Sequence, residues 1–176
     1  TRSASTTVIV DNATAAETSA VGAWTTSSAT GGYHGSNYVH DANTGKGTKS
    51  FHFHPSLTAH DDYAIYGRWT SDTNRATNAP IDISAADWFV YPHVVNQRLN
   101  GGQWRLLSGL PLSPATAEIK VGNTGTDGFV IADAFRLVPA GAKTGAVIVD
   151  DAETAKIEIT GAWTTSAFTS GYHGSG

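Results

Sequence analysis

Aromatic rings, guanidinium groups and side-chain amides recur together in the middle of this 176-residue chain. Trp69, Trp88, Tyr91 and Trp104 offer flat apolar faces, and Arg68, Asn74, Arg75, Asn78, Asn96 and Gln97 offer planar hydrogen-bonding groups close by in sequence. Sugars need both: rings take the C–H side of a pyranose, while amides and guanidinium groups take its hydroxyls and carboxylates. Trp88, Tyr91 and Trp104 are therefore expected to act with these six polar side chains in a carbohydrate-binding site. Trp24 and Trp69 read better as core residues, because each sits inside an architectural motif. Trp88 and Tyr91 lie in loop-like composition that favours exposure. Arg75, in a turn between strands, suits either of two tasks, meeting a uronate or clamping a loop carbonyl.

Other chemistry is less well supplied. His52 and His54 project from one face of a strand, but no carboxylate lies close in sequence to complete a metal site, so a solvated strand face is the preferred reading. Oxygen ligands for calcium exist at Asp11, Asp41 and Asp127; a structural calcium ion is the one cofactor these residues allow, and otherwise none is expected. A β-elimination centre would need Tyr66 or His93 as base, with Arg68 and Gln97 stabilising the developing charge. The chain has no Gly-x-Ser-x-Gly, no His-Glu-x-x-His and no phosphate loop, and it is expected not to be an enzyme.

Composition narrows the partners. A net charge of −4 and a pI of about 5.9 provide no basic field for a phosphate backbone, which excludes nucleic acid as the main ligand. No stretch approaches the roughly 20 apolar residues of a membrane helix, so no membrane insertion is expected. With no Cys, neither disulfides nor thiolate metal sites can support the fold.

The elements that must carry these residues are strands. Alternation runs through Phe51–His54, Tyr63–Trp69, Ala117–Val121 and Phe129–Val138, separated by Gly-, Asn-, Asp- and Thr-rich turns, and only Ser84–Trp88 suggests a single helical turn. The expected fold is an all-β jelly-roll sandwich of about eight or more strands. Parity puts Tyr63, Ile65, Gly67 and Trp69 on one side of their strand and Tyr66 and Arg68 on the other. Trp104 and Leu106 share a side. Phe129, Ile131, Phe135 and Leu137 share a side with Asp133, which is expected to be a hydrogen-bond hub rather than a catalytic acid.

The chain also repeats itself. Residues 8–36 align without a gap to residues 147–175, and 18 of the 29 pairs are identical, among them Gly22–Ser27 with Gly161–Ser166 and Tyr33–Ser36 with Tyr172–Ser175. The expected organisation is one complete sandwich over residues 1–139, a linker at 140–145 and the N-terminal part of a second copy at 146–176.

The run of motifs Val10-Asp11-Asn12-Ala13, Trp24-Thr25-Thr26-Ser27, Tyr33-His34-Gly35-Ser36-Asn37-Tyr38, Arg68-Trp69, Asn74-Arg75-Ala76-Thr77-Asn78, Gly101-Gly102-Gln103-Trp104 and Asp127–Ala134 resembles the golvesin C-terminal-like domain, also described as xanthan-lyase-associated. The resemblance implies a galactose-binding-like β-sandwich appended to secreted bacterial enzymes and surface proteins; it does not imply catalysis. The segment Ile81–His93 departs from it in being richer in aromatic residues. The expected function is an extracellular, non-catalytic module that binds acidic polysaccharide or attaches a larger secreted protein to a surface. The alternative is a structural repeat that builds a homo-oligomer or filament by donating residues 146–176 to a neighbouring subunit.

Overall fold

A computed structural model describes residues 6–140; the expected linker beyond Ala140 and the second-copy segment lie outside the described residues. Twelve strands follow in order among them. They are β1 (Val8–Asp11), β2 (Thr18–Val21), β3 (Thr25–Ser27), β4 (Tyr38–His40), β5 (Ser50–Phe53), β6 (Asp61–Arg68), β7 (Ala79–Ser84), β8 (Val90–Val95), β9 (Arg105–Leu112), β10 (Glu118–Gly122), β11 (Ile131–Ala132) and β12 (Ala134–Pro139). A single turn of 3-10 helix, Ala15–Glu17, links the first two. The suggested helical turn at 84–88 is instead the end of β7 and the tip of a hairpin.

The strands form three sheets: a four-stranded one in the order β1-β12-β6-β9, a five-stranded one in the order β2-β5-β10-β7-β8, and a small one in the order β11-β4-β3. All the strand pairs are antiparallel. The two larger sheets face each other across one apolar core, where Phe53 of β5 meets Phe135 of β12 edge to face at 4.9 Å. This is the all-β sandwich that alternation predicts. Tyr63, Ile65, Ile81, Ile83, Ile119, Val121 and Leu137 fill the core from alternate positions of their strands. Each such side chain contributes about 1.5–3 kcal/mol by leaving water.

One alternating run conceals a change of partner. Phe129–Val138 is not a single strand: β11 pairs with β4 in the small sheet, β12 pairs with β1 and β6 in the four-stranded sheet, and Asp133 stands between them. Periodicity records which residues are buried, and both halves are buried, so the pattern continues through the crossing.

The register of the four-stranded sheet builds its outer face. Ile9 lies opposite Arg136, Arg136 opposite Tyr66, and Tyr66 opposite Leu106, so four strands supply one row. A bulge where β6 meets β9, between Ile65 and Tyr66, lets Leu106 face outward while Leu107 turns toward Gly67. A Cβ on Gly67 would stand 3.2 Å from Leu107 and 3.3 Å from Phe135, so the close fit there favours glycine.

Candidate functional site

The outer face of the four-stranded sheet gathers Arg68 and Trp104, two of the expected sugar-binding residues, with three more: Tyr66, which had been considered only as a base, and His34 and Arg136, which sequence reading had not singled out. The Arg136 guanidinium lies over the Tyr66 ring at 4.7 Å and over the Trp104 ring at 5.1 Å. Arg68 reaches the same indole at 5.8 Å and donates from Nε to the Gly32 carbonyl at 2.9 Å. The His34 ring stands 5.5 Å from Trp104, and its Nδ1 is 3.0 Å from Asp11 Oδ2. Ile9 at 42 % exposure and Leu106 at 61 % flank the row as open hydrocarbon. Arg–aromatic contacts of this kind fix the guanidinium planes and favour them by about 0.5–2 kcal/mol each.

Two loops bring His34 and Trp104 together. Gly32 (φ +99°) and Gly102 (φ +73°) pass so closely that a Cβ on Gly32 would sit 3.0 Å from the Gly102 Cα, so both geometry and backbone conformation favour glycine there. The loop after Gly32 is fastened by Asp133, whose carboxyl oxygens accept one shared N–H from His34 at 3.0 and 3.2 Å. Burial pushes the Asp133 pKa up to about 8, against the pull of that N–H, and the nearby Asp11 carboxylate adds to the rise. The hub expected at this position is therefore a single link: the Asp133 carboxyl has no other hydrogen-bond partner among the described residues.

Two other expected ligand residues, Arg75 and Gln97, are buried instead. Arg75 is 4 % exposed and spends its guanidinium on Asn74 Oδ1, the Thr30 and Thr70 hydroxyls and the Tyr38 hydroxyl, over whose ring it also lies. Gln97 is 1 % exposed, and its amide pairs with both the N–H and the carbonyl of Ile131 at 2.8 Å, as a neighbouring strand would. Neither can reach a polysaccharide. Asn74, Asn78 and Asn96 are more accessible but serve the same end of the molecule as loop fasteners. Asn78 donates to the Gly125 carbonyl and accepts from Asp127 N–H, and Asn96 accepts from Arg98 N–H. For Asn78 the sequence gave no sign of this, because its partners Gly125 and Asp127 lie 47 and 49 residues away.

Trp88 and Tyr91 stand apart on the β7–β8 hairpin of the five-stranded sheet. Trp88 is 82 % exposed at φ 66°, and Tyr91 is half-buried with its hydroxyl donating to Asp87 Oδ2 at 2.6 Å. That bond raises the Tyr91 pKa and lowers that of Asp87. Trp69 is buried with its indole N–H on the Leu99 carbonyl, and Trp24 packs edge to face on Phe51, which agrees with the core reading of both.

The residues considered for other chemistry are spread over both larger sheets. Of the β-elimination set, Tyr66 and Arg68 share the outer face of the four-stranded sheet, whereas His93, the alternative base, lies on β8 of the five-stranded sheet and Gln97 is buried. His52 and His54 do meet a carboxylate: cross-strand pairing brings Glu118 to 2.9 Å from one and 3.7 Å from the other, a neighbour that separation in sequence conceals. Among the described residues, no three His, Cys, Asp or Glu side chains are arranged to hold a metal ion. Asp11, Asp41 and Asp127 are likewise scattered, each with its own partners: His34 for the first, Lys46 for the second, and Thr77 and Arg98 for the third.

Comparison with known proteins agrees with this architecture. A xanthan lyase from Bacillus sp. (strain GL1) is 37 % identical over 138 residues, which are 76 % of this chain and 15 % of that protein. The solved structure of a Paenibacillus xanthan lyase superposes with a TM-score of 0.72 at 43 % identity, over 76 % of this chain and 13 % of the other. The chain thus corresponds to a small part of each of these larger proteins. The sequence profile of the Golvesin C-terminal domain matches residues 8–139, and the chain belongs to that family.

Proposed function

We propose that this domain is a non-catalytic polysaccharide-binding module that works outside the cell as part of a larger secreted protein. The observation that carries the reading is the outer face of the four-stranded sheet, where the half-buried Trp104 and Tyr66 rings, in contact with the Arg68 and Arg136 guanidinium groups, lie beside the exposed Leu106. Relatives named for action on xanthan, of which this chain matches only a fraction, support a role beside an enzyme rather than as one. Affinity electrophoresis in gels containing xanthan tests the site. Trp104→Ala is expected to weaken retention about tenfold while leaving the circular dichroism spectrum unchanged. Trp88→Ala is the parallel variant. Loss of retention there, with Trp104→Ala unaffected, would move the site to the hairpin; new unsaturated ends absorbing in the ultraviolet would contradict a non-catalytic role.

A second reading, assembly, is favoured by the placement of residues 8–36. Its strands β1, β2 and β3 are each an edge strand of a different sheet, so the segment borders the sandwich as a strip, and residues 147–175 repeat its sequence. A matching strip from a neighbouring molecule would find the same pairing partners. Light scattering of the full chain across a range of concentrations decides it: a mass that rises with concentration, and no longer does so once residues 141–176 are removed, supports exchange, whereas a constant monomer mass rejects it.

A further inference from the structure

Six lysine and arginine side chains among the described residues are buried or half-buried: Lys46, Lys49, Arg68, Arg75, Lys120 and Arg136. Four have their charged ends on oxygen. Lys46 and Lys120 pair with Asp41 and Asp82, Lys49 donates to the Asp41 carbonyl and the Thr44 hydroxyl, and Arg75 is held by Asn74 and three hydroxyls. Arg68 and Arg136 are different. Neither lies within 4 Å of a carboxylate of the described residues, and the terminal nitrogens of both have no protein acceptor there; the Nε atoms of Arg136 and Arg75 are both buried without a partner, but Arg75 bonds through its terminal nitrogens and Arg136 does not. Both guanidinium groups border the same indole.

Partly desolvating a cation without an acceptor is unfavourable, and immobilising it against aromatic rings removes the conformational freedom that an exposed arginine keeps. Those two losses become an advantage when an anion arrives, because the receptor is already ordered and its donors are unspent. A guanidinium fork matches the plane of a carboxylate better than it matches a tetrahedral anion, and the hydrocarbon around the pair suits the carbon skeleton of a sugar. Resting on the polysaccharide-binding reading above, we propose that Arg136 and Arg68 form a receptor for the carboxylate of an acidic sugar, while Trp104, Tyr66 and Leu106 take the C–H face of its ring. Arg136 thereby fills the uronate-binding role that sequence reading had offered to Arg75.

The test compares one polymer in two forms, native xanthan, whose side chains carry glucuronate, and carboxyl-reduced xanthan, by titration of the full chain at fixed ionic strength. Native polymer is expected to bind about tenfold more tightly than the reduced form, and Arg136→Gln or Arg68→Gln to abolish that ratio by weakening only the native polymer. Arg105→Gln, an exposed arginine outside the cluster, is expected to leave the ratio intact. Arg136→Lys, which keeps the charge and loses the fork, should fall between and covers the case in which Arg136→Gln fails to fold. Equal binding of both polymer forms, or a ratio unchanged in both glutamine variants, overturns the carboxylate receptor while leaving polysaccharide binding standing. A sulfated polymer binding as tightly as the native one overturns the preference for carboxylate. Binding of neither form by the unaltered chain overturns the underlying reading instead.

Discussion

Two buried carboxylates show how donor count decides charge at the scale of single residues. Asp41 is fully buried, and burial alone would raise its pKa, yet the Lys46 ammonium at 2.8 Å and N–H groups of Val130, Asn123 and Asn43 together hold it below the usual carboxylate value. Asp133 has one shared N–H, and its pKa rises to about 8. The folded form therefore keeps a proton on Asp133 that the unfolded chain releases near pH 4. Between pH 4 and about 8 the unfolded state binds fewer protons at this site, so stability falls as pH rises and levels off above that range. Urea denaturation of the unaltered chain is expected to show this decline, and Asp133→Asn, which keeps an acceptor for His34 N–H and cannot ionise, should flatten it; identical slopes in the two proteins would disprove the assignment. Parity puts Arg68 on the side of its strand away from the core, and the structure sets it beside Trp104. Residue types alone misplaced Arg75 and Gln97, whose burial depends on loops crossing from distant parts of the chain.

At the scale of elements, the β7–β8 hairpin stands out for backbone conformation. Trp88 adopts a left-handed φ that L side chains resist, while Phe89 N–H and the Tyr91 hydroxyl both donate to the Asp87 carboxylate to secure the turn. Since the indole is mostly in water, Trp88→Gly relieves the backbone and gives up little packing. Its denaturation free energy is expected to be unchanged or higher by up to about 1 kcal/mol; a comparable loss would show that the indole helps to hold the hairpin. The strands β5, β6 and β10 were legible from alternation because each has one face in the core. Register was not legible. Alternation places Arg136 outward between Phe135 and Leu137, but only the pairing of β12 with β6 sets it over Tyr66, just as the pairing of β5 with β10 sets Glu118 beside the two histidines.

The whole-molecule property legible in the sequence was the all-β class, which depends on a sum over many strands. What requires coordinates is where the chain comes in and where it goes out. Val8 lies opposite Leu137 and Asp11 opposite Ala134, so the first and last strands of the sandwich run side by side in opposite directions. Tension on the polypeptide before Val8 and after Pro139 therefore meets this ladder at one end rather than along its length. The bonds are loaded in succession, as in a zip, instead of sharing the pull as strands sheared lengthwise would. A pull applied at those two points is therefore expected to open the domain at a lower force than lengthwise shear would need, which single-molecule stretching measures.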